Sequence, residues 1–279
     1  MRVAAAGGEL EVVDHGPAAG RPLICLHGFP DVPATFAPLA RLLGAAGWRV
    51  LAPYLRGYAP STLSGPFDTD TLASDLVAVA DAVSPGAPVH VIGHDWGALA
   101  TYAACAARPE RFARAITLAV PHPSAMLQNV PREPAQLGRS WYMLFFQLPL
   151  AAEWALRRRD GRLLDRLWRD WSPGWAAPEV HLAEVRRTIL ASLPAPLEPY
   201  RVMFQAFLGG RAAPVGRSSV PTLSLHGARD RCVGAGLGAG EDRWFSGEHR
   251  REVIPDVGHF LHLERPAVVT NRALSWFSA

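Results

Sequence analysis

The sequence contains no lysine, so all 28 of its basic residues are arginines. Enzymes that form a Schiff base with a carbonyl substrate use a lysine amine, and the P-loop of nucleotide-binding proteins ends in a lysine that contacts phosphate. The absence of lysine therefore argues against both classes of enzyme.

Cysteine is also scarce, and the three cysteines are far apart in the chain: Cys25, Cys105 and Cys232. Their odd number and wide spacing do not indicate a disulfide framework, a redox motif or a thiol nucleophile. Cys25 lies in an apolar run, which is typical of an inert core thiol. A metal site made of His226, His259 and His262 is not indicated either, because no ligand pair has a recognised spacing.

Long hydrophobic runs are absent as well, so no segment has the length and apolarity of a membrane span. The first ten residues carry one arginine and lack the apolar stretch of a signal peptide. We therefore expect a cytoplasmic protein with no membrane partner. The net charge is +3, but the densest basic stretch, residues 157–169, is interleaved with aspartates. That pattern is typical of a solvated helix face, so no nucleic-acid partner is predicted.

What is present is a chain of 279 residues, 49% hydrophobic and 19% charged, which suits one domain with a large insertion. Short β-like runs alternate with helical patterns, and this predicts a mostly parallel sheet flanked by helices. The predicted strands are 10–14, 23–26, 49–52, 89–92, 115–120, 222–226 and 252–254, and the predicted helices of this part are 34–46, 71–83, 98–107 and 266–277. We predict an α/β core of residues 1–122 and 211–279, with residues 123–210 inserted as an all-helical cap over the carboxyl ends of the strands.

A candidate nucleophile lies in residues 93–97, with the sequence Gly-His-Asp-Trp-Gly, between a predicted strand and a predicted helix. The two glycines flank Asp95 as they flank the serine of a G-x-S-x-G nucleophile elbow. Such a turn is strained and needs small neighbours, and the N–H groups at the start of the following helix favour an anion. An aspartate that simply caps the helix fits the same five residues, so other residues must decide.

The order nucleophile, acid, histidine along the chain is the one that this elbow requires. Asp230 follows the predicted strand 222–226, and His259 lies in a loop after the next predicted strand. The loop after the predicted strand 115–120 offers no carboxylate, which favours Asp230 as the acid. Asp256 is the second candidate, although it is very close in sequence to His259. These positions predict a triad of Asp95, Asp230 and His259.

These residues resemble the epoxide hydrolases and haloalkane dehalogenases of the α/β-hydrolase superfamily. Four segments carry the resemblance, which extends over essentially the whole chain: residues 27–31 (HGFPD), 55–58 (LRGY), 93–97 (GHDWG) and 258–264 (GHFLHLE). The chain departs from the family pattern at Tyr54, where an aspartate is usual, and at Ala59 and Ala98, where glycines are usual. None of these changes removes a catalytic group, and we expect the first to alter how Arg56 is held.

The resemblance implies further roles for residues of this chain. The backbone N–H groups of Phe29 and Trp96 are expected to form an oxyanion hole, with a cis bond between Phe29 and Pro30. Tyr142 and Tyr200 stand at the positions of the two cap tyrosines that hold the epoxide oxygen in that family. Packing is the alternative role for both tyrosines, because tyrosine buries well and usually finds some hydrogen-bond partner.

The resulting prediction is an epoxide hydrolase that converts a small hydrophobic epoxide and water into a vicinal diol. Asp95 is expected to form an alkyl ester, and water activated by His259 and oriented by Asp230 is expected to hydrolyse it. No cofactor or metal is expected, and a homodimer is left open.

Two alternatives remain at this stage. A haloalkane dehalogenase would use the same nucleophile but needs two halide donors. Trp96 could be the first, the Phe29 side chain offers none, and the second would have to come from a cap tryptophan: Trp141, Trp168, Trp171 or Trp175. The other alternative is a non-catalytic, ligand-binding member of the fold, because fold by itself does not determine function.

Overall fold

A computed structural model describes residues 1–210 and 215–278. Eight strands form one sheet in the order β1-β2-β4-β3-β5-β6-β7-β8. The pairs β1·β2 and β2·β4 are antiparallel, and all other neighbours are parallel. The strands are β1 Arg2–Ala5, β2 Gly8–His15, β3 Arg21–Leu26, β4 Trp48–Pro53, β5 Val89–His94, β6 Phe112–Leu118, β7 Thr222–Gly227 and β8 His249–Ile254. The predicted mostly parallel sheet is confirmed.

Helices cover both faces of the sheet. The five core helices are α1 Ala37–Ala45, α2 Thr69–Val83, α3 Trp96–Ala107, α11 Leu261–Glu264 and α12 Pro266–Ser278. Along β3, Leu23 and Cys25 pack in the apolar cluster that contains residues of α1 and α12, whereas Ile24 and Leu26 pack in the cluster that contains α2 and α3. Because successive side chains of a strand point to opposite faces, a strand buried on both faces reads as an unbroken apolar run.

One strand was missed, and the largest differences from the predicted strand bounds are at β6 and β8. The short strand β1 was not predicted, and the strand predicted at 115–120 is Phe112–Leu118. It ends there because Ala119 has a φ of 68°, which breaks the extended backbone. The strand predicted at 252–254 starts earlier, at His249. The apolar pattern missed its first residues because β8 is an edge strand, where those residues are charged and partly exposed.

In its described residues, the segment between β6 and β7 contains seven α-helices and no strand that joins the sheet. They are α4 Pro123–Asn129, α5 Ala135–Arg139, α6 Trp141–Phe145, α7 Ala151–Arg157, α8 Arg162–Trp171, α9 Glu179–Ser192 and α10 Glu198–Leu208. Two side chains of this segment bond to the loop after β3: the Trp168 indole donates to the Pro30 carbonyl at 2.8 Å, and His181 contacts Asp31 at 2.9 Å. The predicted boundary after residue 210 adjoins residues 211–214, which lie outside the described part of the chain.

The departure at Tyr54 has a structural counterpart. Arg56 is fully buried and forms a two-point ion pair with Asp75 of α2, at 2.9 and 2.7 Å. Its other N–H groups donate to backbone carbonyls, while the Tyr54 hydroxyl lies 3.5 Å from Glu184. The charged partner of the arginine is therefore in α2, and the Ser64 carbonyl of its own loop is a further acceptor. No helix within the described ranges is long and apolar enough to cross a membrane.

Candidate active site

Asp95 occupies the tight turn between β5 and α3, with a φ of 53° and a ψ of −117°. This backbone conformation is strained for a residue with a side chain. A methyl group on Gly93 would collide with the Gly97 carbonyl, and one on Gly97 would collide with the Leu26 carbonyl, so both positions require glycine. The side chain of Asp95 makes no capping hydrogen bond to α3, although the residue stands at the cap position. Its carboxylate is therefore available for another role.

One oxygen of this carboxylate is held by the loop after β3. The Phe29 N–H donates to Asp95 Oδ1 at 2.8 Å, and the bond between Phe29 and Pro30 is cis, as predicted. In the described structure, the Trp96 N–H makes no hydrogen bond to the carboxylate. One of the two expected backbone donors thus contacts Asp95 Oδ1, and Oδ2 is left without a backbone partner.

The predicted histidine and acid meet at the carboxyl ends of the strands. His259 Nδ1 lies 2.8 Å from Asp230 Oδ2, and His259 Nε2 lies 3.6 Å from Asp95 Oδ2. Asp230 is oriented through its other oxygen, which accepts from the N–H groups of Cys232 and Val233 at 2.7 and 2.9 Å. Among the described residues, His259 Nε2 has no hydrogen-bond partner. This nitrogen faces the same space as Asp95 Oδ2.

The alternative acid is placed elsewhere. The Asp256 side chain is 63% exposed and pairs with Arg229. It makes no contact with His259 in the described structure, although it is only three positions away in the chain. The geometry thus brings Asp230, and not Asp256, to the histidine.

The environment of His259 raises its pKa. Burial would lower this pKa, but the negative charge and hydrogen bond of Asp230, helped by the negative charge of Asp95, more than offset burial. With both carboxylates ionised, the imidazolium form lies between two negative charges. The protonation of His259 therefore depends on the charge of Asp95.

We accordingly expect the Asp95→Asn substitution to lower the pKa of His259, since it removes one of the two carboxylates that stabilise the imidazolium. NMR titration of the ring nitrogens would measure the change, with His259→Gln used to assign the signal. Asp256→Asn is the matched control, because its carboxylate is exposed and distant from the ring contacts. An equal pKa in wild type and Asp95→Asn would contradict this electrostatic account.

The two predicted tyrosines are buried beside the triad. Tyr142 belongs to α6 and Tyr200 to α10, and their ring centroids are 5.8 Å apart. The Tyr142 hydroxyl contacts Cys232 Sγ at 3.4 Å, whereas the Tyr200 hydroxyl has no hydrogen-bond partner among the described residues. Burial raises the pKa of both phenols well above 10, and the charge of Asp95 adds to the effect. Both hydroxyls therefore stay protonated and able to donate.

Aromatic rings surround these hydroxyls. The Tyr200 ring meets Phe29, Phe146 and Trp96 edge to face, at centroid distances of 5.6, 5.3 and 5.0 Å. Such rings exclude water and strengthen the electrostatic interactions between the polar groups that remain.

Sequence reasoning missed Cys232 and did not single out Trp171 among the four cap tryptophans that it considered. Cys232 provides a thiol near the Asp95 carboxylate and a His259 ring nitrogen, with the three ligand atoms all within 4.8 Å of one another. Its position two residues after Asp230 was the available signal. The Trp171 ring lies 5.2 Å from His259 and 4.9 Å from Tyr142, and no local pattern distinguished it from the other tryptophans of the insertion.

Comparison with known proteins identifies the family and the fold. A family model described as the alpha/beta hydrolase fold matches residues 21–266. The chain is 30% identical over 271 residues to the AB hydrolase superfamily protein YfhM of Bacillus subtilis. That alignment covers 94% of this chain and 93% of the relative. It is 29% identical, over an alignment of 306 residues, to Epoxide hydrolase A of Mycobacterium tuberculosis. The alignment covers 98% of this chain and 95% of the relative.

Solved structures show the same fold. Epoxide Hydrolase A from Mycobacterium thermoresistibile superposes with a TM-score of 0.86 at 23% identity, covering 100% of this chain and 98% of that chain. An epoxide hydrolase from Bacillus megaterium, solved with an inhibitor, gives a TM-score of 0.87 at 20% identity and covers both chains fully. With the family model and the full-length relatives, these likenesses establish that the chain belongs to the α/β-hydrolase superfamily, where it is similar to epoxide hydrolases.

Proposed function

We propose that this protein hydrolyses a hydrophobic epoxide to a vicinal diol through an ester on Asp95. The observation that carries the proposal is a pair of buried tyrosines beside Asp95. The Tyr142 hydroxyl lies 3.4 Å from Cys232 Sγ, which is itself within 4.8 Å of the Asp95 carboxylate, and the Tyr200 ring packs edge to face against Trp96 and Phe29. A nucleophilic carboxylate alone fits several reactions. Two phenols beside it suit a leaving oxygen that stays attached to the substrate and needs hydrogen bonds or a proton. The full-length relative from Mycobacterium tuberculosis, named an epoxide hydrolase, supports the same reaction.

In the first step, Asp95 Oδ2 attacks an epoxide carbon and the carbon–oxygen bond of the ring breaks. We assign the attack to Oδ2 because Oδ1 accepts the Phe29 N–H, whereas Oδ2 faces His259. The departing ring oxygen takes a proton from a tyrosine, which becomes a phenolate. The product of this step is a hydroxyalkyl ester of Asp95.

Ester formation removes the negative charge of Asp95, so the pKa of His259 falls at this moment. The imidazolium can then return a proton to the tyrosinate, which leaves a neutral imidazole with a lone pair on Nε2. Neutral His259 accepts a proton from water as the water oxygen attacks the carboxyl carbon of Asp95. The Phe29 N–H stabilises the oxyanion on Oδ1. Collapse of this intermediate breaks the ester C–O bond, and the departing oxygen takes the proton left on the oxygen that came from water. The diol is released, the Asp95 carboxylate is restored, and His259 is left as the imidazolium.

The helical segment 123–210 is proposed to act as a cap on this site. It supplies both tyrosines and Trp171, and the burial of all three rings is consistent with a site closed against water. The aromatic walls favour a hydrophobic substrate. A cytoplasmic location and a homodimer stay predictions.

The dehalogenase alternative has less support. It needs a second halide donor besides Trp96, and the Phe29 side chain has none. Of the four tryptophans considered for that role, Trp168 uses its indole N–H on the Pro30 carbonyl. Trp171 packs against His259 and Tyr142.

The proposal is tested by measuring initial rates with an aryl epoxide and with a bromoalkane of similar size. We expect diol formation from the epoxide, abolished in Asp95→Asn, with little bromide release. Bromide release without diol would support the dehalogenase. Failure of a folded protein to turn over either substrate class would support a non-catalytic role.

A further inference from the structure

The helical segment 123–210 exposes many large apolar side chains in one short stretch. Thirteen large hydrophobic residues are exposed in the described part of the chain, and six of them lie between residues 137 and 154. The six are Leu137, Trp141, Leu144, Leu148, Leu150 and Trp154. Single exposed apolar residues are normal on a protein surface, whereas a concentration of them is typical of a contact surface.

Their spacing places these side chains on the outer side of three short helices. The first four are separated by four, three and four positions along α5, α6 and the turn after it, which is the period of one helix face. Between them, Tyr142 and Phe146 are buried on the inner side. Leu150 and Trp154 are four positions apart at the start of α7, and the buried Ala152 lies midway between them on the opposite side. These helices therefore turn one side to the core and an apolar side to solvent.

Leu150 has the least favourable surroundings of the six. It is 82% exposed, the highest fraction in the group, and its backbone φ is 66°. A leucine in this left-handed region is strained, whereas asparagine or glycine adopts it more readily. In water, the side chain and the backbone conformation are therefore both unfavourable at this residue. Strain of this kind is typical of functional segments, and a partner that buries the side chain would offset it.

Arginines border this apolar surface. The exposed residues of the stretch 155–169 are six arginines and one aspartate. The Arg158 guanidinium lies 4.9 Å from the centre of the Trp154 ring. On α8, the Arg166 guanidinium lies 5.8 Å from the centre of the Trp141 ring. Arg166 also pairs with Asp170, but Arg158 has no ion pair within the described residues. An unneutralised positive charge thus adjoins the apolar side chains.

The combination of apolar side chains and arginines matches the surface of an anionic membrane. There, leucine and tryptophan side chains enter the boundary between headgroups and acyl chains, and guanidinium groups contact lipid phosphates. The stem of an arginine can stay near apolar groups while its charged end reaches the headgroups. The sequence predicted no membrane partner because no segment can span a bilayer, but a surface contact needs no such segment.

A second copy of this chain is a poorer match for the same surface. Most protein dimers have two-fold symmetry, so each copy would present this surface to the same surface of the other. The arginines beside Trp154 would then lie near the same arginines of the second copy. Repulsion between like charges would oppose that contact.

We propose that the docking surface formed by the six exposed apolar side chains and Arg158 binds the protein to anionic membranes. Leu150 and Trp154 enter the bilayer, and Arg158 contacts the phosphates of the lipid headgroups. The docking surface lies on the outer side of the segment that supplies Tyr142 and Tyr200. It takes no part in the reaction proposed for Asp95.

The test is co-sedimentation of the whole protein with lipid vesicles in the absence of substrate. Vesicles of phosphatidylglycerol and phosphatidylcholine in equal parts should bind the protein, and vesicles of phosphatidylcholine alone should bind it at least about tenfold less. High salt should weaken the binding, because it screens the arginine charge. Since no substrate is present, the result does not depend on the epoxide reaction.

Leu150→Asn removes the apolar side chain and places a residue that suits the backbone conformation at this position. The variant should keep or raise the melting temperature and lower vesicle binding about tenfold, so a loss of binding cannot come from unfolding. Val253→Ser is the matched control, because it removes an exposed apolar side chain from β8, outside the docking surface. It should bind vesicles as wild type does.

Arg158→Gln should lower vesicle binding about fivefold, the usual effect of one arginine near an anionic membrane. Arg41→Gln is its control, because Arg41 is exposed on α1 of the core and also has no ion pair in the described structure. The proposal fails if folded wild type does not sediment with anionic vesicles, or if Leu150→Asn binds them as well as wild type. Equal losses in Arg158→Gln and Arg41→Gln would also overturn it, since they would indicate general attraction by the net charge of +3. A dimer that Leu150→Asn dissociates, without vesicle binding, would instead make this surface a protein interface.

Discussion

His259→Gln is expected to lower steady-state turnover by about 10²–10⁴-fold and to accumulate the ester on Asp95. The substitution removes the base that activates water, yet it leaves Asp95 Oδ2 free to attack. Glutamine is close to histidine in size and keeps a polar group near Asp230, which limits the disturbance of the buried site. The protein should therefore complete the first step and stop before the second.

Intact-mass measurement reads this outcome directly. His259→Gln would be incubated with an aryl epoxide and, separately, with a bromoalkane of different mass. A gain equal to the whole epoxide is expected, because ring opening expels no atoms, and it should be absent when Asp95→Asn is combined with His259→Gln. A gain equal to the alkyl group alone, formed only from the bromoalkane, would instead point to a dehalogenase. No adduct from either reagent would contradict nucleophilic attack by Asp95 on these substrates.

Tyr200→Phe is expected to lower turnover more than Tyr142→Phe, by about 10²–10³-fold against about tenfold. The reason is that the two hydroxyls differ in their hydrogen-bond partners. Tyr200 has no hydrogen-bond partner among the described residues, so its O–H is ready for the ring oxygen. Tyr142 already contacts Cys232 Sγ and must exchange that contact for the substrate.

Single-turnover rates of ester formation would separate this effect from binding. Tyr54→Phe is the control, since its hydroxyl lies at the margin of hydrogen-bond distance from Glu184 and outside the site. Both Tyr→Phe variants should keep the hydrolysis step, because His259 and Asp230 are untouched. Equal losses for Tyr142→Phe and Tyr200→Phe would show that the Cys232 contact does not distinguish the phenols. Near wild-type rates in both would reduce the tyrosines to packing residues.

The sequence was sufficient to predict the residues whose placement depends on local structure. Asp95 stands in a turn that only flanking glycines allow, and Asp230 and His259 each follow a strand of a parallel sheet. Because parallel strands bring their carboxyl ends to one edge, the chain order of these motifs implied that the side chains would meet. The strands themselves were recognisable because burial on both faces leaves an unbroken apolar run.

The structure alone could decide features that depend on long-range packing. Asp256 was near His259 in sequence, but the loop turns its carboxylate to solvent and toward Arg229. Cys232 and Tyr142 meet only because α6 of the insertion packs over the turn after β7. Such contacts depend on how the helices of the insertion pack against the core, and short sequence patterns do not encode that packing.

The cluster of Asp31, His94 and His262 is the clearest example of this division. Each residue belongs to a segment that the sequence marked for another reason, the HGFPD, GHDWG and GHFLHLE stretches. No two of them have the close spacing of a metal motif, so the sequence indicated no metal site. The fold brings them together in the interior, where one side-chain N or O atom of each lies within 4.8 Å of the others. Local backbone demands thus determined the places of Asp95, Asp230 and His259, and tertiary burial alone determined which other polar groups surround them.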